Sequence, residues 1–205
     1  MSWKPWNLAK PHTVVGNVQI YENLYSPQLD NERHIYACLP PSYDDNRTTY
    51  PVVYMHDGQN LFDDATSFAG EWQVDETVLA LSREDLEFIV IGISNGGADR
   101  LAEYSPHLHP QYGGGNADNY LSFIVNTVKP LVDKSFRTKQ KPENTVIMGS
   151  SLGGLISLYA FFRYPDVFGR AGVMSPAFWI TEGTIFSFVE NADTVNAKIY
   201  GCGGD

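Results

Sequence analysis

Apolar residues along this chain fall into short runs, broken by glycine, proline and polar turns. The run at 88–93 (Phe-Ile-Val-Ile-Gly-Ile) is almost continuous, as expected of a parallel central strand covered on both faces. Similar runs at 51–55, 146–148, 167–174 and 197–202 predict further buried strands. Closer to the N-terminus, Val14, Val18 and Ile20 alternate with polar residues and predict a half-buried strand over 13–25. A second such strand is predicted over 33–39, and Pro40-Pro41 stops it. Helical spacing appears in three places. Trp72, Val74, Val78, Leu79 and Leu81 predict a helix over 71–81. Leu121, Ile124, Val125 and Val128 predict one over about 119–136, capped by Asp118 and kinked at Pro130. Leu155, Leu158, Tyr159 and Phe162 predict a third, ending near Tyr164-Pro165, and Thr181 or Thr184 opens a shorter fourth.

Strands that alternate with helices imply one α/β domain over 1–205, a mostly parallel sheet with helices on both faces. Residues 1–12 read as an irregular arm whose Trp3 and Trp6 cover a core edge. No repeat, low-complexity tract or linker divides the chain.

The candidate chemistry sits at the junctions. Gly149-Ser150-Ser151-Leu152-Gly153 lies between a predicted strand and a predicted helix and fits G-x-S-x-G. In that setting the pattern is a nucleophile elbow, which lifts Ser151 out at the sheet edge and at a helix N-terminus. Five loose positions also occur by chance, and a purely structural turn is the alternative. Gly58, just past the strand at 51–55, lets backbone N–H groups turn inward, as oxyanion binding requires. A long segment from 94 to 117 leaves the carboxyl end of another strand, where open α/β sheets keep their ligands. It carries Arg100, Glu103, Tyr104, His107, His109 and Tyr112. Arg100 and Glu103 are expected to pair with each other and fix the loop, with substrate contact as a second role for them and for Tyr104. Phe178 and Trp179 form either an aromatic wall of the cleft or part of the core.

Composition narrows the partners. The 205 residues are 43% hydrophobic and 13% aromatic, enough for one sizeable core. The formal net charge of −10 argues against nucleic acid and anionic membranes as partners. No stretch is apolar over a length that spans a bilayer, and residues 1–7 lack the apolar run of a signal peptide. Cys38 and Cys202 both lie in apolar runs, so buried free thiols and a cytoplasmic location are expected.

Four stretches carry a family resemblance: Tyr54-Met-His-Asp-Gly-Gln-Asn-Leu-Phe62, Glu103-Tyr-Ser-Pro106, Met148-Gly-Ser-Ser-Leu-Gly-Gly154, and Tyr164-Pro-Asp-Val-Phe168 leading to Ser175-Pro-Ala-Phe-Trp179. In order and spacing they resemble the esterase branch of the α/β-hydrolases that includes enterochelin-type and feruloyl-type esterases. The resemblance implies an α/β-hydrolase fold and hydrolysis of a small-molecule carboxylic ester through an acyl-enzyme on Ser151. It implies an oxyanion hole made by the backbone N–H of Leu152 and one from Gly58 or Gln59, with no metal or organic cofactor.

The chain also departs from that family. Such hydrolases order their triad as serine, acid, histidine. Here all five histidines (His12, His34, His56, His107 and His109) precede Ser151, and Asp205 stands where the acid is expected. The expectation is therefore a truncated hydrolase that lacks the final strand, final helix and catalytic histidine, with an open sheet edge that favours homo-oligomers. The competing explanation within the hydrolase reading is a complete chain that uses a substitute base on His56, His107 or His109. An acyltransferase, or a non-catalytic binding protein on the same fold, is the alternative to it.

Overall fold

The computed structural model describes residues 2–6, 12–193 and 198–203. Its strands and helices are, in chain order, β1 (Lys4–Pro5), β2 (Asn17–Ser26), β3 (Asn31–Leu39), β4 (Val52–His56), α1 (Val74–Ser82), β5 (Ile89–Ile93), α2 (Arg100–Tyr104), β6 (Leu108–His109), β7 (Gly113–Gly114), α3 (Ala117–Phe123), α4 (Lys129–Ser135), β8 (Thr145–Ser150), α5 (Leu152–Arg163), β9 (Arg170–Met174), α6 (Thr184–Glu190) and β10 (Lys198–Cys202). Eight strands form one sheet in the order β1-β2-β3-β5-β4-β8-β9-β10, and β6 and β7 make a small separate hairpin. From β5 to β10 every neighbouring pair is parallel, whereas β1, β2 and β3 are antiparallel. This is the mixed, mostly parallel sheet of an α/β-hydrolase fold.

The alternation within β5 explains how both faces are covered. Ile89, Ile91 and Ile93 join a core that contains Leu121 of α3, Val132 of α4, Leu155 and Ile156 of α5, and Ile185 of α6. Val90 points the other way, into a second core with Val74 and Val78 of α1. Strand β5 is thus buried along its whole length, which is why its sequence is apolar without a period of two.

Several expectations change in detail. Residues 2–6 of the arm are not irregular throughout. Lys4 and Pro5 pair with Gln19 and Ile20 of β2, Trp6 packs on Tyr36 at 4.7 Å, and Trp3 packs on Phe136 at 4.8 Å. Helix α1 starts at Val74, because Gln73 holds a left-handed φ of 54° that ends the extended lead-in. The long helix is broken into α3, a wide turn over Ile124–Val128, and α4. Pro130 has no N–H to offer and its ring crowds the preceding turn, so the backbone widens just ahead of it. Asp118 does not cap α3, whose N-cap is Asn116. Instead it accepts hydrogen bonds from Tyr159 and Arg163 and ties α3 to α5. Cys38 is buried as expected, but Cys202 is exposed. Every residue of β10 is exposed, because β10 lies at the sheet edge. No described helix is long and apolar enough to cross a membrane.

Candidate active site

The carboxyl ends of β4, β5, β8 and β9 lie side by side, and the loops that leave them build the site. The turn after β8 is the sharpest. Ser151 sits at φ 58° and ψ −120°, a conformation that L-residues avoid and that costs on the order of 1–3 kcal/mol. The surroundings hold it there. Its N–H donates to the Met174 carbonyl at 3.0 Å, and its carbonyl accepts from Ala177 at 3.0 Å and Leu155 at 3.1 Å. Small residues let these strands approach. A Cβ on Gly154 would stand 2.8 Å from the Met174 oxygen, and one on Gly149 would stand 3.0 Å from the backbone of Gly153. The Ser151 side chain is exposed, and no hydrogen bond engages its hydroxyl among the described residues. Leu152 opens α5, so its N–H lacks an intrahelical acceptor.

The second piece follows β4. Asp57 turns left-handed at φ 56° and starts a single tight helical turn, Gly58–Asn60. The N–H groups of Gly58 and Gln59 lead that turn and so have no partner within it. Gly58 is pressed onto β5, where a Cβ would stand 2.6 Å from Gly92 backbone. Gln59 is fixed through its side-chain oxygen, which accepts the Asn95 N–H at 3.2 Å, and through its carbonyl, which accepts the Thr66 hydroxyl at 2.8 Å. The two turns touch: a Cβ on Gly153 would lie 3.5 Å from His56 Cβ and 3.6 Å from Asp57 Oδ2.

Arg100 and Glu103 do not pair with each other. Arg100 grips Asp57 with Nε at 2.6 Å and a terminal nitrogen at 2.8 Å, and Asn95 adds a third donor to the same carboxylate at 2.7 Å. Glu103 turns inward to Arg33 of β3, with two bonds of 2.8 and 2.9 Å. Both of those side chains are at most 2% exposed. Tyr104 is also fully buried. Its hydroxyl accepts the Asp57 N–H at 3.2 Å and the Tyr120 hydroxyl at 3.4 Å. Tyr120 in turn stands 2.8 Å from Nδ1 of His56. With Tyr120 donating to Tyr104, His56 carries its proton on Nδ1 and leaves Nε2 as a buried lone pair without a partner. Burial pushes the His56 imidazole down to about 4, with Asp57 and Arg100 acting in opposite directions, so it is neutral at pH 7. Burial also holds the Tyr104 phenol well above its usual range.

The sequence places three of its substrate-contact candidates on one loop, and the structure separates them. Arg100 faces an open cleft of about 740 Å³ with Asp57, Gln59, Asn95 and the exposed Phe68. Glu103 and Tyr104 lie behind that wall.

The chain matches the family described as "Putative esterase" across residues 26–199. It belongs to that family. It is 34% identical over 169 residues to the uncharacterized protein YbbA of Bacillus subtilis, covering 79% of this chain and 64% of that protein. It is 29% identical over 166 residues to the siderophore triacetylfusarinine C esterase of Aspergillus fumigatus, covering 74% of this chain and 54% of that protein. Its fold is that of the siderophore hydrolase EstA from Aspergillus nidulans, with a TM-score of 0.73 at 22% identity over 91% of this chain and 68% of that one. The chain thus spans less than two thirds of the length of YbbA and of the triacetylfusarinine C esterase.

Within this esterase-family chain, the remaining candidates are Trp179, Phe178, His109, His107 and Asp205. Trp179 is 66% exposed and meets Tyr112 edge-on at 5.7 Å, in the turn that follows Ala177. Phe178 packs partly into the core. His109 is tied up: Nδ1 accepts the N–H of Gln111 and Tyr112 at 3.1 and 3.2 Å, and Nε2 faces Glu182 at 3.4 Å. His107 leaves a buried Nε2 without a partner, and burial lowers its pKa. Asp205 lies outside the described residues. Asn95, Arg33 and Tyr120 escape the sequence reading, since each acts on a partner far along the chain.

Proposed function

We propose that this chain hydrolyses small-molecule carboxylic esters through an acyl-enzyme on Ser151. The observation that carries the proposal is the exposed Ser151, held at φ 58°, two residues before Gly153, which lies against Asp57 at the head of a turn whose leading amides have no partner within it. In this reading Ser151 Oγ attacks the ester carbonyl carbon and gives its proton to a base. The N–H groups of Leu152 and of Gly58 or Gln59 take the developing oxyanion. The tetrahedral intermediate collapses, the alcohol leaves with a proton, and water later attacks the acyl group by the same route. Arg100, fixed on Asp57, and Trp179 border the space for the two halves of the ester, and Glu103 and Tyr104 support that wall from behind. The relative named as a siderophore ester hydrolase makes small multi-ester ligands the first substrates to try. Two unpaired cysteines suit a reducing compartment, and we place the protein in the cytoplasm.

No described histidine bonds to the Ser151 hydroxyl, and two of them are unsuited to act as its base. His56 is buried and engaged with Tyr120, and the Nδ1 lone pair of His109 is used by two backbone donors. The test is fluorophosphonate labelling and p-nitrophenyl acetate turnover, with the chain beside its Ser151→Ala variant. Labelling and turnover that vanish together in the variant support the reading. A folded chain that never labels overturns it. That result favours a second reading, a binding protein on a hydrolase fold, which rests on the lack of any histidine bonded to Ser151 among the described residues.

A further inference from the structure

Away from the cleft, three carboxylates converge where α1 begins. One oxygen of each of Glu71, Asp75 and Glu76 lies within 4.8 Å of the other two. Acidic residues in a first helical turn are ordinarily solvated. These are not. Asp75 is 0% exposed, which is rare for a carboxylate without a cationic partner. Its Oδ2 accepts the Val15 N–H at 2.7 Å. Its Oδ1 is buried with no donor, and so are one oxygen of Glu71 and one of Glu76. No lysine, arginine or histidine forms an ion pair with any of the three among the described residues. Three negative groups this close, one fully buried, need a positive counterpart.

We propose that Glu71, Asp75 and Glu76 bind a hard divalent cation, with calcium the best match. The donors are all carboxylate oxygens, which suit calcium or magnesium and not the softer metals that select histidine or cysteine. Glu71 and Glu76 are only half-buried, so water can complete the six to eight ligands that calcium takes. The left-handed Gln73 folds Glu71 back toward the first turn of α1. The site does not depend on the esterase reading, but it touches the same framework. Trp72 and Val74 donate to the carbonyls of Asn60 and Leu61 at 2.9 and 3.0 Å, so an ion here braces the far end of the Gly58–Asn60 turn. The competing counterpart is a proton. Burial raises the Asp75 carboxyl to about 7, and a proton shared with Glu76 would leave the cluster without metal.

The test uses the whole chain, stripped with EGTA and titrated with terbium(III). Trp72 adjoins Glu71 in the chain and sensitises terbium emission. The expected result is saturable emission that calcium displaces, with a rise in Tm on adding calcium. Glu71→Gln and Asp75→Asn should each weaken terbium binding at least tenfold. Glu71→Gln alters a half-exposed residue and guards against a loss caused by misfolding, which circular dichroism checks. The proposal is overturned by emission that does not saturate. It is equally overturned by binding that survives both substitutions, which puts the ion elsewhere on an acidic surface. A Tm indifferent to millimolar calcium, with Asp75→Asn at least as stable as its parent, assigns the cluster to the shared proton.

Discussion

The hydroxyl of Tyr104 accepts the backbone N–H of Asp57 at 3.2 Å. A side chain of α2 thereby holds the first residue of the proposed oxyanion turn in its left-handed conformation. Tyr104→Phe keeps the ring and leaves that partly buried N–H without an acceptor. We expect a loss of about 1–3 kcal/mol in urea unfolding. In an active form we expect kcat to fall while KM stays near its parent value, since the turn meets the oxyanion only once charge develops.

The Arg33–Glu103 pair predicts a second, larger effect. Both groups are buried, so Glu103→Gln strands a guanidinium in the core and should cost about 3–5 kcal/mol. Replacing both, as Arg33→Met with Glu103→Leu, should recover most of that stability, because the desolvation cost of each charge disappears as well. Urea midpoints of the parent and the two variants check this, and a double variant as unstable as the single one would contradict it.

His56 gives a pH dependence with a definite sign. Its imidazole is pushed from 6.5 down to about 4 by burial. The unfolded chain therefore binds this proton more readily than the folded one between those values. The contribution to stability is complete above about pH 6.5 and is lost as pH falls toward 4, a change of about 3 kcal/mol. His56→Asn, whose amide can donate to Tyr120, should flatten that part of the stability curve. Chemical unfolding at pH 7, 6, 5 and 4 measures it.

The glycines of the site are unequal. A methyl on Gly58 would meet Gly92 backbone at 2.6 Å, whereas one on Gly153 finds its nearest neighbour at 3.5 Å. Gly58→Ala should be poorly soluble or destabilised by about 2 kcal/mol or more. Gly153→Ala should change stability by less than about 1 kcal/mol, although it breaks the motif. Thermal melts of the two distinguish steric need from a mere sequence pattern.

Residues that act locally were legible in the sequence. The apolar run of β5 and the small residues around Ser151 state their requirements within a few positions. Ion pairs were not. Arg100 and Glu103 are neighbours on α2 and looked like partners, yet each binds a residue brought to it by strand order, Asp57 at 43 positions and Arg33 at 70 positions along the chain. Tyr120 gave no signal either, because a tyrosine on the inner face of a helix reads as core. Cys202 misled for a related reason: an apolar run marks what can be buried, and only the neighbouring layer decides what is. Glu71, Asp75 and Glu76 carry no mark of their own in the sequence, and only the burial of Asp75 sets the group apart.

The backbone angle at Ser151 has one last consequence. A glycine there would hold φ 58° without the clash that a Cβ brings. The fold could be made firmer at this position only by deleting the hydroxyl that its proposed chemistry uses. Robustness and reactivity are therefore opposed at a single dihedral, and any programme that ranks substitutions by stability alone would choose the inert one.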